Sequence, residues 1–315
     1  MQLKLATPLF FENEKLYKFH RLFLSFAQFT LLLFATLCFA PAVEAKSHDV
    51  LIYIRDDVYE DYLEFVNQRD VLTIDNFIGS TIRRDVVDMI IAQQALKLGG
   101  FNKTFKYAPG KVNFRNTKML QNGQLLISFD SYWQTDATTM QDELYISQPV
   151  IRNGEYIAGI YTNPNNAKTL AVKTIQDLQA LTAVSTPKWR TDWQTLQALG
   201  LKELVREDEW LSMARMVDMQ WIDFMLMPFN STSDKSFTLE KITLVPVPNV
   251  AVVLNDSRHF VISKNHPDGK EAFTAINKGL SILRAQGRIV TAYTQAGFFK
   301  DKENKNLTLI NENKN

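Results

Sequence analysis

Apolar residues recur along this chain at two spacings, and the alternation between them sets out its elements. From Thr81 to Leu98, Val87, Ile91, Ala95 and Leu98 fall at steps of three and four, and Gly99-Gly100 supplies a stop, so a helix is predicted there. Phe273, Ile276, Leu280 and Leu283 repeat the spacing before Gly287, which sits where a left-handed C-cap is expected. Shorter apolar runs read as strands: Val50 to Ile54, Gln124 to Phe129, Tyr156 to Tyr161, Leu181 to Ser185, Trp221 to Phe229, Val250 to Leu254 and His259 to Ser263. Strands that alternate with helical patterns predict an α/β protein.

Local signals mark the boundaries. Asn163-Pro164-Asn165-Asn166 and Pro267-Asp268-Gly269 are turn chemistry. Val112 to Gly123 reads as a strand edge followed by a helix bearing Arg115, Met119 and Leu120. Thr174-Ile-Gln-Asp177 opens a short helix, and Thr191-Asp-Trp-Gln194 has the form of a capping box, so a helix is predicted from Thr191 to Gly200. Asp208 is expected to cap another, in which Leu211, Met213, Met216 and Val217 are packing residues rather than ligands.

Composition changes the picture in what it excludes. The chain has 315 residues, 46% hydrophobic and 22% charged, with a formal net charge of +1. That is an ordinary globular composition, long enough for two domains. No basic block interleaved with aromatics stands out, so nucleic acid is not an expected partner. Near the N-terminus, Lys15, Lys18 and Arg21 precede an apolar run from Leu22 to Ala40, followed by Ala40-Pro41-Ala42 and Val43-Glu44-Ala45. This is the pattern of an export signal, with cleavage expected after Ala45; an uncleaved membrane anchor is the alternative. Cys38 is the single cysteine and lies in the apolar run, so the processed chain would carry no thiol. Disulfides, cysteine nucleophiles and cysteine-ligated metals are then excluded, and no cofactor is expected.

The wording of two segments narrows the fold. Phe260-Val-Ile-Ser-Lys-Asn-His-Pro-Asp-Gly269, followed by Ile276-Asn-Lys-Gly-Leu-Ser-Ile-Leu-Arg-Ala-Gln-Gly-Arg-Ile289, resembles the C-terminal end of bacterial extracellular solute-binding proteins of family 3, which have the type II periplasmic binding protein fold. Ile146-Ser147-Gln148-Pro149 is similar to that family's Phe-Ser-x-Pro segment, where the chain crosses between lobes. The resemblance spans about Asp49 to Phe299. It implies two α/β lobes with a hinged cleft between them, enclosing a small-molecule ligand handed to a membrane transporter or a sensor, without chemistry. The expected division is 1–45 signal peptide, 46–152 and 251–300 first lobe, 153–250 second lobe, and 301–315 a polar C-terminal tail, in a periplasmic monomer. Hinges are expected near Pro149 to Glu155 and Asn249 to Leu254.

Ligands of open α/β sheets bind beyond the carboxyl ends of strands, which selects candidate site residues. Arg55 follows the first strand, and Asp130, Tyr132 and Trp133 follow the strand ending at Phe129. Trp189, Arg190 and Thr191 lie between Ser185 and the next helix, where free backbone N–H groups and an arginine would favour an anion. The alternative there is a core tryptophan beside a solvated arginine. Arg83 and Arg84 are expected in a helix first turn, offset by Asp85 and Asp88 as local pairs or by a bound anion.

The family's amino-acid clamps are absent. The register of its carboxylate-binding arginine lands on Met140, and that of its ammonium-binding aspartate on Pro228. A standard amino acid is therefore in doubt, although Arg115, Arg55 or Asp130 could substitute. The expectation is a small polar or anionic ligand. Two competing readings use the same fold: a sensor module, and a hydrolase pairing Asp130 with Asp142 or Glu143.

Overall fold

In a computed structural model, residues 49–109, 113–229, 234–301 and 306–312 are described. The export signal expected at 1–45 lies outside them. The first strand, β1 (Val50–Ile54), buries Val50, Ile52 and Ile54 on alternate positions. Asp56–Val66 follows as α1, a helix the sequence reading passed over; its buried face is Val58, Tyr62, Phe65 and Val66. The next helix, α2 (Arg84–Gly99), starts three residues later than predicted, because Arg83 is still extended and serves as N-cap. It is buried from Asp85 to Leu96 on every side, so it is a central helix rather than an amphipathic surface one. Gly100 closes it with φ of 102°.

β2 (Phe105–Pro109) pairs parallel with β1, and α3 (Asn113–Gln121) returns the chain. Gln124 to Phe129, predicted as a strand, forms only an isolated antiparallel bridge from Ile127 to Ile262. Then come β3 (Tyr132–Trp133), α4 (Gln134–Thr138) and β4 (Leu144–Ile151).

The second lobe runs through β5 (Ile157–Thr162), α5 (Ala167–Leu170), α6 (Ile175–Gln179), β6 (Thr182–Ser185), α7 (Arg190–Ala198), β7 (Glu203–Arg206), α8 (Trp210–Asp218), β8 (Met225–Met227), β9 (Phe237–Leu239) and β10 (Ile242–Val253). Thr174 and Asp177 make the reciprocal bonds of a capping box at α6. α8 has Glu209 as its N-cap, not Asp208, whose carboxylate is drawn off by Thr186 and Arg206. Met213 and Met216 pack in the apolar cluster behind this sheet. Of the strand expected from Trp221 to Phe229, Met225–Met227 forms β8, and Phe224 before it makes a single parallel bridge to Ala183.

The chain then re-enters the first lobe with β11 (Arg258–Ser263), α9 (Gly269–Ala285) and α10 (Arg288–Gln295), and returns to the second as β12 (Thr308–Leu309). In the first lobe β11 lies between β3 and β4, antiparallel to both; in the second the order is β12-β10-β5-β8, with β9 on β10 and a separate parallel pair β6-β7 joined through Ala183 and Phe224. This is the expected architecture: an α/β fold of two lobes, the first completed by a late segment of chain.

Ala251, Val252 and Val253 pair with Gly159, Ala158 and Ile157, so β10 continues past 250, the expected end of the second lobe, and stays paired with β5 to Val253. Asn249, at the start of the segment expected to flex, has φ of 61° and lies at an irregularity within β10, between Pro246 and Ala251. The tail expected to be merely polar carries β12, which pairs Val250 with Thr308 and Ala251 with Leu309. The apolar core is continuous past the crossovers through Ile151, Tyr156, Leu254, Phe298 and Phe299.

Candidate functional site

A cleft of about 460 Å³ opens between the lobes. The first lobe contributes the carboxyl end of β1, the start of α2, the segment before β3, and Arg258 at the start of β11; the second contributes Lys188 to Arg190, Asp192 and Pro228, with Tyr156 and Phe298 from the connecting regions. Such a volume is in the usual range for small-molecule sites.

The first-lobe wall is an ordered charge network. Arg84 places Nη1 at 2.5 Å from Asp88 Oδ2, one helical turn on, and at 2.8 Å from Asp130 Oδ1. Asp88 is fully buried and satisfied four times: by Arg84, by the Ser131 amide (2.9 Å) and hydroxyl (2.6 Å), and by the Tyr293 hydroxyl. Arg258 donates Nε to Ser131 Oγ at 2.9 Å and Nη2 to the Ser131 carbonyl, and its guanidinium lies 4.4 Å from the centre of the Trp133 ring. Burial alone would raise the Asp130 carboxyl, but Arg84 and Arg258 outweigh it and hold the group below its ordinary value. Burial and the like charge of Arg84 push Arg258 down, against Asp130 and Asp88. Arg84 Nε and Nη2 and Arg258 Nη1 have no protein acceptor among the described residues, so guanidinium donors remain for an anion.

Arg83 is spent on Asp57, Asp61 and Asp85, and Arg55 on Asp57. Both local pairing and a cleft-facing arginine therefore occur at the start of α2: Arg83 is consumed, and Arg84 is braced with donors to spare.

The second-lobe wall differs from its prediction. Trp193 N–H bonds to the Trp189 carbonyl at 2.9 Å, which closes the first turn one residue early, so α7 begins at Arg190 with Trp189 as N-cap. Thr191 is thereby inside the helix. It caps nothing; its hydroxyl oxygen is buried without a partner, and the residue borders a separate cavity with Gln194, Thr195 and Asp256. The expected capping box is absent, and Thr191 is not a cleft residue. Arg190 does line the cleft, but its Nη1 lies 3.2 Å from Asp136 of the first lobe. The Asp192 carboxylate already lies in the first turn, so the negative charge that this helix end favours comes from the chain itself. An anion is thus poorly served here.

Of the residues chosen from sequence, Arg55, Asp130, Tyr132, Trp133, Trp189 and Arg190 line one cleft, and Thr191 does not. Arg115 is exposed and outside the cleft lining, and Met140 packs in a small cluster with Leu120 and Leu144. Asp142 and Glu143 lie in the turn before β4, away from the cleft lining, so the hydrolase pairing with Asp130 is not assembled. Arg258, Tyr156 and Asp192 were missed. Arg258 was hidden as the polar start of an apolar strand, and Asp192 as the interior of an expected capping box. Burial pushes the Tyr156 hydroxyl up to about 12 and the Asp192 carboxyl up to about 6, the latter against its own amide and the two arginines. No cluster of metal-ligating side chains occurs among the described residues.

No family model matches the chain, and no curated protein does. Among solved structures it is similar to the periplasmic VFT2 domain of Bordetella pertussis BvgS, with 14% identity over 66% of this chain and 81% of that one and a TM-score of 0.48. It is similar to the probable amino-acid ABC transporter extracellular-binding protein YtmK of Bacillus subtilis, at 16% identity over 67% and 87%, TM-score 0.48. Substrate binding domain 2 of Lactococcus lactis GlnP matches at 14% identity over 68% and 86%, TM-score 0.47.

Proposed function

We propose that the protein is an extracytoplasmic solute-binding protein, exported by the segment 1–45 and processed near Ala45, that holds a small polar or anionic molecule between its lobes. The observation that supports this most is the first-lobe wall, where Arg84 and Arg258 are positioned by Asp88, Asp130 and Ser131 yet keep N–H donors unspent toward the cleft. Braced donors of this kind cost little ordering entropy when an anion arrives. The aromatic rings of Tyr132, Trp133 and Trp189 offer the apolar complement. The role is capture rather than catalysis, and the partner is a membrane transporter or a sensor that reads lobe closure. No helix among the described residues is long and apolar enough to cross a membrane.

A thermal-shift screen of the purified processed protein against small metabolites tests the reading. A specific ligand at a hundred times its dissociation constant stabilises by about 2.7 kcal/mol. Small-angle scattering should then show compaction on binding as the segments 152–156 and 254–257 flex. Failure of every compound in a broad panel of organic anions and polar metabolites overturns it. Pull-down of membrane partners separates transporter from sensor.

A further inference from the structure

Three carboxylates line the cleft, and two are engaged: Asp85 lies 2.8 Å from Arg83 and Asp130 lies 2.8 Å from Arg84. Asp192 has no side-chain partner among the described residues. A carboxylate can accept about four hydrogen bonds. Arg84 and Arg258 are near enough to act on it electrostatically, yet neither makes an ion pair with it. A gap therefore separates unspent donors on the first lobe from unspent acceptors on the second. Its sides are apolar: the Trp133 ring meets Tyr156 edge-on at 5.4 Å, and Tyr132 and Trp189 complete the lining.

Resting on the binding role above, we propose that Asp192 determines the ligand class: the cleft takes a small monoanion with a flat apolar middle, its anionic group on Arg84 and Arg258 and a hydroxyl or ammonium donor at its far end on Asp192. A dianion of the same length would bring its second charge against the Asp192 carboxylate, a like-charge contact in a partly desolvated site. A monoanion without a far donor would leave that carboxylate stripped of water and unpaired, a loss that buried polar sites discriminate strongly. Only a donor satisfies both ends.

Calorimetry at pH 7.5 with three probes on one frame tests this: 4-hydroxyphenylacetate, phenylacetate and 4-carboxyphenylacetate. The native protein should bind the hydroxyl compound at least about tenfold more tightly than either other probe, as expected when a site's polar group is left unpaired or repelled. In Asp192→Asn, which keeps the shape and removes the charge, the dianion should gain about tenfold relative to the hydroxyl compound. Preference of the native protein for the dianion or the unsubstituted acid, or an unchanged order in the variant, overturns the proposal. So does binding of none of the three, and the order in the native protein decides even if the variant does not fold. A ligand from the metabolite screen that binds equally well to Asp192→Asn overturns the role of Asp192 while leaving capture in the cleft intact.

Discussion

Arg190 Nη1 of the second lobe lies 3.2 Å from Asp136 Oδ1 of the first, an ion pair that joins the lobes across the cleft boundary. Both side chains are well exposed, at 45% and 37%, so the pair contributes little to folding. A double-mutant cycle of Arg190→Ala and Asp136→Ala should give a coupling below about 1 kcal/mol in urea unfolding. Its effect belongs to the lobe equilibrium instead. Arg190→Ala should raise the radius of gyration of the ligand-free protein in small-angle scattering, and high salt should do the same to the native protein. An unchanged radius in both would show that the pair does not restrain opening.

Asp88 presents the opposite balance. It is fully buried and accepts from Arg84, Tyr293 and both groups of Ser131, so its removal leaves Asp130 as the one ion-pair partner of Arg84 among the described residues and the Tyr293 and Ser131 donors unpaired at once. Asp88→Ala should cost about 3–5 kcal/mol in chemical denaturation. Loss under about 1 kcal/mol would mean that water reaches Arg84 and that the site wall is not preorganised.

The parts of this arrangement legible in the sequence were those written in local periodicity. The helices α2 and α9 show steps of three and four ending at glycines, and β1 and β11 show short β-branched runs. Less legible was β10, where Pro246 and Pro248 lack the donors a ladder needs; the strand tolerates them by shifting register before Ala251. Least legible was the network of Arg84, Asp88, Asp130 and Arg258. Its members come from three separated segments and meet only because α2, the segment after Phe129 and β11 converge. One residue of error at α7 also mattered. Starting the helix at Arg190 rather than Thr191 turns Thr191 away and leaves Asp192 lining the cleft.

The helices α2 and α9 cross at two reciprocal contacts that no side chain larger than hydrogen could occupy. A Cβ at Gly279 would lie 1.8 Å from the Ala95 carbonyl oxygen, and one at Gly99 would lie 1.9 Å from that of Ala275. Backbone atoms cannot yield as a flexible side chain can. Gly279→Ala should therefore lower stability by about 1–3 kcal/mol or more despite alanine's better helix propensity. Lys278→Ala, on the exposed face of the same helix, should stay within about 0.5 kcal/mol. Melting curves of the two variants decide it; equal melting temperatures would mean that the helices can separate at no cost.

Asp192 supplies the last prediction, in pH. Burial raises its carboxyl to about 6 from an ordinary 3.8, against its own amide and Arg258 and Arg84, so the folded ligand-free protein holds a proton there that the unfolded chain has already released. Where the folded state binds more protons, stability falls as pH rises. The contribution is complete below the unfolded value near 4 and is lost as pH climbs through about 6. Its ceiling, from a shift of about two units, is on the order of 3 kcal/mol. Asp192→Asn cannot ionise, so above pH 6 it should be more stable than the native protein by up to that amount, and the difference should shrink toward pH 4. Urea unfolding of both proteins at intervals from pH 4 to 8 measures it. A difference that is constant across that range, or that grows toward acid, would show that Asp192 is already charged and paired in the folded protein.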